Sequence, residues 1–223
     1  MITNLTNSNL LLILKELLMH HGERLNSFTH MLGAVIALAG LVILVVFASL
    51  NGDIWRIVSF SIYGTSLFLL YLFSTIYHST EGSVRALFKK LDHISIYLLI
   101  AGSYTPFVLV SLNGAWGWSL FGVIWGLAVI GILLDCFTSD ERRIIQLIIY
   151  VLMGWIALVA IQPLIESLSM AGFLWLLGGG LFYSVGIVFY VLDLKKFHFH
   201  GIWHLFVLAG SITHYFTIMY YVL

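Results

Sequence analysis

The stretch HMLGAVIALAGLVILVVFASL, residues 30–50, runs its whole length without a Lys, Arg, Asp or Glu. As an α-helix it would rise about 30 Å, the thickness of a bilayer's hydrocarbon core. Six more stretches of this character follow, over about residues 57–79, 92–112, 117–136, 144–163, 172–193 and 202–222. The whole chain agrees with them, being 61% hydrophobic and only 9% charged, with a mean hydropathy of +1.04. A soluble domain carries about 25% charged residues. The fold class is therefore an all-α integral membrane protein, a seven-transmembrane helix bundle forming a single domain, 1–223. The connections are too short for a soluble domain.

Charge orients the bundle. Lys15 and Arg24 precede the first span; Arg85, Lys89 and Lys90 lie between the second and third; Arg142 and Arg143 between the fourth and fifth; Lys195 and Lys196 between the sixth and seventh. All of these fall on one side, and Arg56 alone on the other. By the positive-inside rule the N-terminus is cytoplasmic and the C-terminus outside. Residues 1–29 form a cytoplasmic interfacial segment. Within it NLLLILKELLMH, residues 9–20, is interrupted by Lys15 and Glu16 and lacks a small-residue cleavage site, so it reads as a short amphipathic helix and not a signal peptide. Leu11, Leu14, Leu17 and Leu18 would share its apolar face.

Other features have structural readings. Pro106 inside the third span should kink it, and Pro163 lies near the end of the fifth. Gly122, Gly126 and the Gly178 to Gly180 run suggest close helix packing. Trp55, Trp116, Trp118, Trp175 and Tyr221 sit near outer span ends, as an aromatic belt does. Zero net charge gives no basic footprint, which argues against a nucleic-acid partner. The single cysteine, Cys136, excludes an intrachain disulfide.

The polar residues at span ends are more informative. His78 closes the second span, Asp92 and His93 open the third, and His200 and His204 open the seventh, all at the cytoplasmic level. Glu23, Asn26 and His30 belong to the same layer. Ionisable groups at membrane depth are costly and mark functional sites by default. Residues four apart share a helical face, so Ser74 pairs with His78 and His200 with His204. Two imidazoles on adjacent turns and a third from another helix make a three-histidine set with a position left for water, the pattern of a catalytic zinc site. Taken alone, interfacial packing accounts for His200 and His204 as well as metal ligation does. Agreement in depth between two separate helices favours the metal.

His20, His21 and His198 read as solvated. His93 should point about 100° away from Asp92, and the aspartate is assigned to the site. His214, about 15 Å further along its helix than His204, cannot bind the same ion. Asp135 and Asp193 have no histidine at helical spacing and read as solvated interfacial groups.

Three motifs, in order on the expected helices, carry a resemblance: ERLNSFTH at 23–30, STIYH at 74–78 followed by KKLDH with Asp92, and HGIWH at 200–204. The sequence resembles the hemolysin III family, the bacterial branch of the progestin and adipoQ receptor family, over nearly its whole length. The resemblance implies a bacterial plasma membrane protein with zinc held on the cytoplasmic side by His78, His200 and His204. It places Asp92 near the metal's water, and it is similar to alkaline ceramidases in suggesting hydrolysis of a lipid amide.

Two functions follow. The first is a zinc-dependent hydrolase whose substrate is a membrane lipid, with Asp92 orienting or deprotonating water and Ser74 hydrogen-bonding beside it. Glu23, Asn26 and His30 would then fix the ligating imidazoles or lock helices. The second is a non-catalytic lytic, pore-forming or membrane-homeostasis protein in which zinc clamps helices. Too few polar residues line the outer half for a monomeric pore, which leaves a homo-oligomer open.

Overall fold

A computed structural model of the chain describes residues 7–137, 143–193 and 199–223, with side chains from residue 23 onward. Among the described residues it is helical apart from short turns, with no strand. The elements are α1 (Asn7–Asn51), α2 (Ile54–Ser79), α3 (Gly82–Pro106), α4 (Gly114–Phe137), α5 (Ile144–Trp155), α6 (Ile161–Asp193) and α7 (Phe199–Tyr221). Six segments are long and apolar enough to cross a membrane: Glu23–Asn51, Ile54–Ser79, Gly82–Leu112, Gly114–Phe137, Ile144–Asp193 and Phe199–Tyr221. The chain is an all-α membrane protein.

The expected fifth and sixth spans are contained in one of these segments, Ile144–Asp193. Ser169 interrupts its helix at φ 63°, ψ 163°, and Trp155 Nε1 donates to Ser184 Oγ at 3.1 Å. Both ends of the segment lie at the same end of the bundle, Arg143 beside Asp135 and Asp193 beside His200. Pro163 stands in the first turn of α6, where a missing N–H costs no helical hydrogen bond.

The N-terminal segment expected to be a separate short helix is continuous with the first span in the 45-residue α1. The faces presented by Leu11, Leu14, Leu17 and Leu18, the surroundings of His20 and His21, and all of His198 lie outside the described residues.

Local chemistry sets the boundaries. Gly52 supplies φ 71° between α1 and α2, a left-handed conformation open to glycine at little cost. Asp53 then caps α2, accepting from the Trp55 and Arg56 N–H groups at 2.9 and 3.4 Å. Pro106 has no N–H for the helical ladder, and after it the chain widens into a π-helical stretch, Phe107–Leu112. Asn113 N–H closes that stretch onto the Val108 carbonyl at 3.1 Å.

Lipid tails are as apolar as leucine, so the helices associate through close fit and not through exclusion of water. Gly64 packs on Leu41, Gly131 on Tyr97, Gly172 on Tyr221 and Gly210 on Tyr183. Of the glycines expected to do this, Gly179 packs on His214, whereas a Cβ at Gly122, Gly126 or Gly180 would meet nothing within 4 Å. The reason is rotational: α4 buries Gly117, Leu120, Ile124, Ala128, Gly131 and Asp135, a stripe that excludes Gly122 and Gly126. Trp55 and Trp118 stack edge to face at 5.5 Å on the exposed end opposite the histidines. Tyr221, half-buried at the end of α7, sets its ring against Gly172.

Candidate metal centre

One end of the bundle gathers side chains from α1, α2, α3 and α7. His78 comes from the last turn of α2, and His200 and His204 from the first turns of α7. One ligand atom from each of the three lies within 4.8 Å of the others, a set able to hold a metal ion. The ring centroids stand 5.2, 4.9 and 4.8 Å apart for the pairs 78–200, 78–204 and 200–204.

Two of the imidazoles have a second attachment through a carboxylate. The Glu23 carboxylate takes His78 Nδ1 on Oε2 and Arg85 on Oε1, the latter at 2.7 Å. With Nδ1–H donating to Glu23, the His78 tautomer is set and its lone pair lies on Nε2. That atom is buried and has no hydrogen-bond partner among the described residues. His204 Nδ1 is unpaired and buried in the same way. A cluster in which two buried imidazole nitrogens have no partner among the described residues suits a cation, because such atoms are costly when left unsatisfied. Zinc, which favours imidazole nitrogen, fits this donor set.

His200 is held by Asp193, whose carboxylate lies 3.5 Å from Nδ1 and accepts from the His200 backbone N–H at 2.9 Å. Asp193 was expected to be a solvated interfacial group. The seven-residue separation from His200 crosses an interhelical connection, which no helical spacing rule detects. Arg85 was also missed as a site residue: besides Glu23 it reaches the Tyr77 and Thr80 carbonyls at the end of α2, and it lies over the Tyr77 ring at 4.6 Å.

The other expected residues divide by position. His30 stacks on His204, centroids 3.7 Å apart and planes 21° from parallel. Asn26 is buried one turn before His30, with its Oδ1 facing Gly201, where a Cβ would sit 3.2 Å away. Both join α1 to α7 beneath the cluster. Asp92 shares a cavity wall with Ser74 and stands outside the set of three histidines. Ser74, Asp92, His30, His200 and His204 all line one cavity of about 720 Å³.

Two expectations about neighbouring residues need correction. His93 lines the same cavity as Asp92 and accepts from Arg143 at 2.5 Å, so both members of the pair face inward. Asp135 is buried, not solvated, and accepts from Arg143 at 2.9 Å. Arg143 also donates to the Tyr150 hydroxyl at 3.0 Å. Its backbone is left-handed, φ 51° and ψ 28°; the tertiary bonds to α3, α4 and α5 accompany that unusual conformation. His214 is not in the histidine set.

The family model described as Haemolysin-III related matches residues 18–215. Hemolysin-3 of Bacillus cereus is 48% identical over 202 residues, covering 90% of this chain and 92% of that protein. The Hemolysin-3 homolog of Bacillus subtilis (strain 168) is 43% identical over 200 residues, 89% and 93% of the two chains. The human monocyte to macrophage differentiation factor is 30% identical over 205 residues, 88% and 82%.

Proposed function

The chain belongs to the haemolysin-III family, and we propose that it is a membrane-embedded, zinc-dependent hydrolase acting on a lipid amide or related acyl substrate at the cytoplasmic leaflet. The observation that carries this reading is the trio His78, His200 and His204, two of whose buried nitrogens have no partner among the described residues, with His200 and His204 lining a large, partly apolar cavity.

Zinc held by these three residues would supply Lewis acidity, polarising a carbonyl and acidifying water. The remaining work falls to side chains of the chain itself. Asp92, which lines the cavity with Ser74, would take a proton from the attacking water and return it to the departing amine. Water then adds across the C–N bond, leaving a carboxylic acid and an amine. Glu23 and Asp193 hold two imidazoles in their ligating tautomers. Leu147, Val151, Ile187 and Val207 in the cavity wall suit an alkyl chain entering from the lipid.

The proposal extends to topology. A segment of 50 residues would extend about 75 Å as one straight helix, far beyond a bilayer. Its two ends meet at the histidine end of the bundle, so it crosses outward and returns at Ser169, making seven spans in all. The charge bias then puts the site and the N-terminus in the cytoplasm and the C-terminus outside, in a bacterial plasma membrane.

The test is elemental analysis of detergent-purified protein together with a lipid-amide hydrolysis assay. We expect about one zinc per chain, lost in His204→Ala, and retained in Asp92→Ala with hydrolysis abolished. Zinc retained and hydrolysis absent from the wild type across a broad panel of lipid amides would favour a structural clamp. Absence of metal from wild-type protein prepared without chelators would overturn the reading.

A further inference from the structure

Two smaller cavities adjoin the one beside the histidines. The large cavity shares Leu70, Leu147 and Val207 with a second of about 120 Å³. The second in turn shares Tyr104, Trp155 and His214 with a third, of about 70 Å³. Three adjoining spaces thus have the histidine cluster at one end and, at the other, His214, which lies ten residues beyond His204 on α7, about 15 Å along its axis.

The walls of the third cavity are mainly apolar, and its other side-chain donors are engaged. Ser103 Oγ donates to the Ile100 carbonyl at 2.8 Å, Tyr104 OH to the Gly154 carbonyl at 2.9 Å, and Trp155 Nε1 to Ser184 Oγ at 3.1 Å. His214 differs from them. Its Nε2 bonds the Leu176 carbonyl at 3.0 Å. A carbonyl only accepts, so Nε2 carries the hydrogen and the neutral ring keeps a lone pair on Nδ1. That nitrogen is buried and has no partner among the described residues. The ring's edge presses on Gly179 so closely that a Cβ there would collide with it, and Tyr183 packs edge-on at 5.4 Å. The ring is therefore held in place, with an acceptor that the described residues leave unsatisfied.

We infer that His214 is a specificity-determining residue that accepts a hydrogen bond from a hydroxyl on the far part of a bound alkyl chain, so that the cavity selects hydroxylated chains over plain ones. The inference rests on the acyl-substrate reading above and adds a second polar contact, remote from the reacting carbonyl. An alkane segment beside Nδ1 would leave the nitrogen unsatisfied, whereas a hydroxyl at the matching distance restores the bond.

The experiment uses purified full-length protein with zinc and a fluorescent fatty acid as reporter. Plain fatty acids and their ω-hydroxy counterparts, in a series of chain lengths, compete for the site. Within one window of length the hydroxy acid should displace the reporter at a concentration at least about fivefold lower than the plain acid, the lower bound of the cost of leaving a buried acceptor unsatisfied. His214→Phe should abolish that preference, so that the hydroxy and plain acids of each length displace the reporter at equal concentrations. Equal displacement at every length, as when a trapped water alone satisfies Nδ1, overturns this inference and leaves the acyl reading standing. Failure of both acids to displace a bound reporter, or failure of the reporter to bind, overturns the acyl reading and this inference with it. Should His214→Phe not fold, the wild-type length series decides.

Discussion

Glu23→Gln removes one charge and one acceptor from a carboxylate that serves two partners at once, His78 Nδ1 and Arg85. The amide retains one oxygen. If that oxygen accepts from His78, the amide nitrogen faces the Arg85 guanidinium; if it turns to Arg85, His78 loses its orienting acceptor. One charge-assisted hydrogen bond is therefore lost in either arrangement, worth about 1.5–3 kcal/mol. Glu23 is 30% exposed, so solvent screening puts the loss toward the lower part of that range. The part of it expressed at the metal should be about a 10- to 100-fold weaker zinc affinity, the usual effect of removing the partner of a ligating histidine. Competition against a chromophoric chelator in detergent measures that affinity directly, and a melting curve of metal-free protein reports whether the fold has suffered by itself. Arg85→Ala, which leaves the Glu23 to His78 contact in place, should weaken zinc less than Glu23→Gln does. Zinc affinity unchanged in Glu23→Gln, in a preparation where His204→Ala abolishes binding, would refute the claim that Glu23 sets the His78 tautomer for a metal.

Asp193→Asn should lower zinc affinity by about tenfold through the loosened His200 ring and reduce stability by less than about 1 kcal/mol, since Asn still accepts from the His200 N–H; isothermal titration and thermal melting separate the two effects. Ser169→Gly should raise the melting temperature, because φ 63° with ψ 163° is a region that costs a residue other than glycine about 1–3 kcal/mol; a lower melting temperature would mean that the Ser169 side chain contributes more than its backbone costs. Gly122→Ala and Gly126→Ala should each be neutral or stabilising by up to about 1 kcal/mol, whereas Gly131→Ala, beneath the Tyr97 ring, should destabilise clearly by the same thermal assay.

Much of this protein is legible without coordinates because membrane spans are local properties. Each backbone must satisfy its own hydrogen bonds in lipid, so an apolar run of sufficient length is a helix wherever its neighbours lie. Helical spacing is local too, and it placed Ser74 with His78 and His200 with His204. Agreement in depth among helix ends then pointed to the same three histidines that the fold brings together. What spacing does not carry is the rotation of one helix against another. Gly122 and Gly126 look like packing residues and face outward, while Asp135 and Asp193, at span ends like any solvated carboxylate, are turned toward Arg143 and His200. The two partners of Glu23 are 55 and 62 residues away from it in sequence, an imidazole at the end of α2 and a guanidinium on α3. Composition and period determined that this chain is a helical membrane protein with histidines gathered at one end. Only the tertiary structure decided which carboxylate holds which imidazole, and which residues wall the cavity beside them, because those relations depend on how whole helices turn and pack.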